Sequence, residues 1–124
     1  MESGGRILLI EDDEPFRRLI RIMLTGAGFD VEEAANGEIG LVCYRQHRSD
    51  VVLTDILMKD GEGLEAIQAL KAIDPDVKII AMSVAGEGPT GYLRTALSFG
   101  ARRTLRKPFS RAELLATLAD VFAR

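Results

Sequence analysis

The sequence predicts an α/β protein: a doubly wound, five-stranded parallel sheet with five helices. Two observations predict it. Apolar runs alternate strictly with amphipathic stretches along the 124 residues, giving five βα units. The runs "RILLI" (6–10), "VVLT" (51–54) and "VKIIAMS" (77–83) are also apolar almost without interruption, as in strands buried on both faces of a parallel sheet. Each crossover between parallel strands is right-handed and returns to the sheet, so strict alternation places helices on both faces.

The elements follow in order. "MESGG" is polar and glycine-rich, and residues 1–5 are read as a loose start to one domain spanning 1–124. After the strand at 6–10, Pro15 suits the first turn of a helix. Phe16, Leu19, Ile20 and Met23 form its apolar stripe, with Arg17, Arg18 and Arg21 on the other side. "GAGF" stops that helix, and the more polar "DVEEA" (30–34) reads as an edge strand. Asn36 is placed to cap a second helix whose core face carries Ile39, Val42 and Cys43. The strand 51–54 ends on Asp55, glycines 61 and 63 form a loop, and Leu64, Ile67 and Leu70 begin a third helix. A strand over 77–83 leads into the glycine-rich "VAGEGPTG" (84–91), then a helix over 92–99 and a strand over 101–106. "SRAE" (110–113) has the form of a capping box. The last helix carries Leu114, Leu115, Leu118, Val121 and Phe122.

Composition excludes several classes. The net charge of −3 argues against nucleic-acid binding by electrostatics, and no apolar run is long enough to span a membrane. No signal peptide is visible, and the single Cys43 excludes an internal disulfide, so a cytoplasmic location is expected. Charge is uneven: acids lead bases 13 to 7 before residue 63, and bases lead 9 to 6 from there on. The basic cluster Arg102, Arg103 and Arg106 would offer an ion-pairing surface to an acidic partner or a second copy of the chain.

In such a fold, sites lie at the carboxyl ends of the strands. Those ends carry Glu11 and Asp12, then Asp55, then Ser83, then Lys107 followed by Pro108. Two carboxylates about 5 Å apart repel by about 3 kcal/mol at an effective dielectric near 20. Three at one rim therefore call for a cation, and hard oxygen ligands suit Mg²⁺. A lysine, a hydroxyl and a metal around one carboxylate make a phosphoryl-transfer site. Lys107 and the metal would neutralise phosphoryl oxygens, Ser83 would donate to one of them, and the carboxylate would be the nucleophile. Asp13 reads as a helix cap and Glu14 as solvated.

The motifs "ILLIEDDE", "VVLTDILM", "IIAMS", "FGA" and "RKPF", in that order, resemble the receiver domain of bacterial two-component response regulators over essentially the whole chain. The resemblance implies a flavodoxin-like strand order 2-1-3-4-5 and phosphorylation of Asp55 by a histidine kinase or phosphotransfer protein. It assigns Mg²⁺ to Glu11, Asp12, Asp55 and the backbone carbonyl of Leu57, with Asp12 the closer of the first pair. It gives Ser83 and Lys107 the conserved hydroxyl and lysine roles, and implies a cis peptide between Lys107 and Pro108. Its activity would be self-phosphotransfer and autodephosphorylation, not turnover of a substrate. Three departures stand out. Lys59, after Met58, occupies a position where the family usually has proline; Thr104 replaces the usual switch aromatic; and the loop 84–91 is longer than typical. The implied output switch, Ser83 with Thr104, is therefore atypical, and a phosphorylation-independent interaction module is the alternative. An aspartyl phosphatase is disfavoured, because Leu57 stands where such enzymes carry an acid two residues past the nucleophile. An FMN-binding module is also disfavoured, since no Ser/Thr/Gly-rich phosphate loop follows the first strand.

Overall fold

A computed structural model of the protein describes residues 4–56, 63–84 and 92–123. Five parallel strands, β1 (Arg6–Ile10), β2 (Asp30–Ala34), β3 (Val51–Asp55), β4 (Ile79–Val84) and β5 (Arg103–Lys107), lie in the order β2-β1-β3-β4-β5. Helices α1 (Glu14–Gly26), α2 (Gly37–Gln46), α3 (Gly63–Ile73), α4 (Tyr92–Ser98) and α5 (Arg111–Phe122) connect and flank them. This is the predicted flavodoxin-like order.

The period of two along each strand divides the core into two layers. Ile7, Leu9, Val51, Leu53, Ile80, Met82 and Leu105 pack with Ile20 and Leu24 of α1 and with Leu114, Leu118 and Val121 of α5. Leu8, Ile10, Val52, Ile79 and Ala81 face the other way, onto Tyr44 of α2, Ile67 and Leu70 of α3, and Ala96 of α4. Each fully buried Leu or Ile contributes about 1.5–3 kcal/mol, so the three central strands hold much of the fold's stability.

Helix ends follow local chemistry. Asp13 is the N-cap of α1, Pro15 lies in its first turn, and Phe16 N donates to Asp13 Oδ1 at 3.5 Å. Gly28 adopts φ +97 just past the helix, while Phe29 N donates to the Leu24 carbonyl, a termination that suits glycine. Ser110 and Glu113 form the capping box of α5, each bonding the other's backbone N–H at 3.0 Å.

Three expectations are corrected. The core face of α2 includes Cys43 but not Ile39 or Val42. Ile39 and Val42 are 45% and 47% exposed, whereas half-buried Cys43 packs against the core and Gly37, Gly40 and Tyr44 are buried. The cause is close approach: a Cβ on Gly40 would meet Ile10 Cδ1 at 2.4 Å, so α2 rests on its glycine side. Tyr44 is buried beside it, and its hydroxyl donates to Asp74 Oδ2 at 2.7 Å. Second, Leu19 of α1 is 48% exposed, because Ile20 and Leu24 take the sheet-facing positions. Third, Gly63 opens α3 and is not a loop residue; the other loop glycine, Gly61, lies outside the described residues.

Gly63 also sets how α3 meets the sheet. A Cβ there would lie 2.1 Å from Ile56 Cα, so the helix start sits against backbone immediately after Asp55. Alanine inside a helix is favoured over glycine by up to about 1 kcal/mol, but here backbone must move to admit it. Gly63→Ala should lower stability by about 2 kcal/mol or more, read as a lower urea midpoint with an unchanged denaturant slope.

Candidate functional site

The carboxyl ends of β1, β3, β4 and β5 bring the acidic and basic residues to one rim. Asp55 closes β3, whose five residues are all buried, and is itself 4% exposed. Glu11 follows β1 directly; its N–H continues the ladder to the Ala34 carbonyl at 3.0 Å, and it is 1% exposed. Asp12 is half-buried. One carboxylate oxygen from each of Glu11, Asp12 and Asp55 lies within 4.8 Å of the others. Ser83 is fully buried in β4, opposite Arg106 in the β4–β5 register.

Lys107 reaches into this group from the end of β5. Its Nζ donates to Glu11 Oε1 at 2.8 Å and lies 3.5 Å from Asp55 Oδ1. The Lys107–Pro108 peptide is cis. The second Glu11 oxygen accepts from the Asp13 N–H at 3.1 Å. Burial nonetheless pushes the Glu11 carboxyl up to about 7; the Lys107 hydrogen bond opposes the rise and the Asp55 charge adds to it. The ammonium of Lys107 sits over the Phe16 ring at 4.3 Å from its centroid, and Phe109 packs edge-on to Phe16 at 5.9 Å.

The remaining expectations are placed as follows. Leu57, Met58 and Lys59, and residues 85–91 of the long loop, lie outside the described residues. Thr104 is half-buried and pairs with Ala81 across β4–β5. Arg102, Arg103 and Arg106 do not form one face. Strand alternation turns Arg103 to the side of Leu105 and α5, where it pairs with Asp120, while Thr104 and Arg106 point the other way. Glu14 is exposed and pairs with Arg18 at 3.5 Å. No helix among the described residues is long and apolar enough to cross a membrane.

The sequence profile described as "Response regulator receiver domain" matches residues 7–119. The chain belongs to this family. The receiver domain is 32% identical over 119 residues to chemotaxis protein CheY of Thermotoga maritima, covering 95% of this chain and 98% of that protein. Over 111 residues it is 33% identical to CheY of Bacillus subtilis, covering 89% and 91%. Other relatives are longer: it covers 53% of the phosphate regulon transcriptional regulatory protein PhoB of Pseudomonas aeruginosa, at 30% identity over 98% of this chain. Among solved structures, Vibrio cholerae CheY4 superposes with a TM-score of 0.86 at 27% identity, covering 98% of this chain and 99% of that one. A receiver domain protein from Clostridium thermocellum gives 0.88 at 26% identity, covering 97% and 95%. Two-component signalling through an aspartyl phosphate and Mg²⁺ is general to the family.

Two residues of this receiver domain touch the site without having been singled out by type. Phe16 covers Lys107. Arg17, set with Arg18 and Arg21 on the side opposite the apolar stripe, has a side chain only 17% exposed and donates from Nη1 to the Glu11 carbonyl at 2.9 Å. The available signal was position: both lie in the first turn after the acidic run.

Proposed function

We propose that Asp55 of this receiver domain accepts a phosphoryl group from a histidine kinase or phosphotransfer protein. The observation that carries the reading is the gathering of Glu11, Asp12 and Asp55 within 4.8 Å, with Lys107 Nζ 3.5 Å from Asp55. An Asp55 carboxylate oxygen attacks the phosphorus of a phosphohistidine. The O–P bond forms, the P–N bond breaks, and the imidazole nitrogen leaves with the electron pair and takes up a proton. Lys107 exchanges its contact with Asp55 for one to a phosphoryl oxygen, and the Ser83 hydroxyl donates to another. Mg²⁺ held by Glu11, Asp12, Asp55 and the Leu57 carbonyl would neutralise charge on the phosphoryl oxygens. The donor set fits that ion: hard carboxylate oxygens, close together, with the Asp55 charge still raising the Glu11 carboxyl although Lys107 contacts both. The product is an acyl phosphate, and the domain signals by carrying it, with loss by autodephosphorylation in place of substrate turnover. A cytoplasmic setting agrees with the single half-buried Cys43.

A second reading is favoured by Thr104, which supplies no aromatic to move with Ser83. The domain would then bind a partner irrespective of phosphorylation, with Arg106 offering charge to an acidic surface. Identical partner binding by wild type and Asp55→Asn would select it.

The main reading is tested by incubating the domain with Mg²⁺ and a small acyl phosphate donor. The expected result is one phosphoryl group by intact mass, lost on hydroxylamine treatment and absent when Mg²⁺ is chelated. No mass gain under these conditions would overturn it.

A further inference from the structure

We infer that Arg17 is a positioning residue for the cation site, held in place by Glu33 on the edge strand. The inference rests on the reading of Glu11, Asp12 and Asp55 as that site. Arg17 uses its guanidinium in two directions. Nη1 donates to the Glu11 carbonyl at 2.9 Å, and Nε donates to Glu33 Oε1 at 3.0 Å. Glu33 is fully engaged, because its other oxygen lies 3.0 Å from Arg21 Nε. Glu33 belongs to β2, so the chain of contacts runs from the sheet edge, through α1, to the bend between β1 and α1.

The bend is where orientation is decided. The Glu11 carbonyl and the Asp12 N–H and Cα share one planar peptide unit. Fixing that carbonyl fixes the plane that carries the Asp12 N and Cα, and leaves rotation about its N–Cα bond as the remaining backbone freedom in aiming its carboxylate. The N–H of Glu11 is already tied to Ala34 at 3.0 Å and its two carboxylate oxygens to Lys107 and Asp13. Arg17 secures the remaining polar atom of Glu11. The planar fork lets one side chain hold an acceptor at the site and a carboxylate at the edge together, which an ammonium cannot do with the same geometry. Residues that orient a metal's ligands from behind contribute strongly to affinity.

A purely structural tie between α1 and β2 would lower stability while leaving the cation affinity of the folded protein unchanged. Mg²⁺ titration by calorimetry, at a temperature where circular dichroism shows every variant folded, separates the two. Arg17→Ala should weaken Mg²⁺ binding about tenfold. Glu33→Gln should weaken it several-fold, and the double variant should match Arg17→Ala alone, because Glu33 acts through Arg17. Arg17→Lys should fall between wild type and Arg17→Ala. Unchanged affinity in Arg17→Ala overturns the inference, as do additive effects of the two substitutions. If Arg17→Ala does not fold, Glu33→Gln and Arg17→Lys decide the matter: wild-type affinity in both overturns it. A wild type that binds no Mg²⁺, or whose binding survives Asp12→Asn, overturns the cation site and this inference with it. Retained Mg²⁺ binding with normal affinity in Arg17→Ala overturns only the positioning role.

Discussion

The Asp55→Asn protein, incubated with Mg²⁺ and a small acyl phosphate donor, should keep its unmodified mass while wild type gains one phosphoryl group. The loss is all-or-none because an amide has no anionic oxygen with which to attack phosphorus. Asparagine matches aspartate closely in shape, and removing one negative charge from beside Glu11 and Asp12 relieves repulsion. Asp55 is 4% exposed and closes a fully buried strand, so preserved shape is what keeps the variant folded. Its melting temperature without metal should equal or exceed that of wild type. A phosphoryl group on the variant would place the acceptor elsewhere, and peptide mapping would locate it.

The second large effect concerns pH. Glu11 has its carboxyl raised from 4.5 to about 7, chiefly by burial. A carboxyl raised in the fold is stabilising while protonated. Its contribution is fully present below the unfolded value of 4.5 and is lost as pH rises through the folded value of about 7. Metal-free wild type should therefore lose stability across that window, on the order of 3 kcal/mol. Glu11→Gln, which stays neutral, should lack this part of the slope and be more stable than metal-free wild type above pH 7. Thermal melts from pH 5 to 8 in the presence of a chelator would test this, and parallel slopes for the two proteins would refute it. At the alkaline end, Mg²⁺ should raise the melting temperature of wild type and do much less for Glu11→Gln. The absence of any Mg²⁺ effect on wild type would count against the cation site.

The sheet order and the gathering of Glu11, Asp12, Asp55 and Lys107 are legible in the sequence for one reason. In a parallel sheet, polar residues at the carboxyl ends of apolar runs share a rim, so the chemistry can be read from where each run stops. What is illegible has no side-chain signature. Hydrophobic periodicity selects Ile39 and Val42 on α2, yet the packing surface there is made by the missing side chain of Gly40 against Ile10. A count of apolar groups cannot register a contact created by absence. Arg17 is missed in a related way. Its target at the site is a backbone carbonyl, which every residue has, and its counter-charge Glu33 lies 16 residues on, in β2. The basic cluster at 102–106 looks continuous in sequence but is split by strand alternation, which sends Arg103 to Asp120.

The Lys107 ammonium above the Phe16 ring makes the site its own reporter. Protons held over the face of an aromatic ring experience its induced magnetic field and resonate upfield of their usual positions. The terminal methylene of Lys107 should carry that signature in a proton–carbon NMR spectrum of the isotopically labelled protein. When Lys107 is drawn away toward an added anion, the signal should move back toward its ordinary frequency. The displacement of one side chain can then be followed by titration without attaching any probe to the molecule.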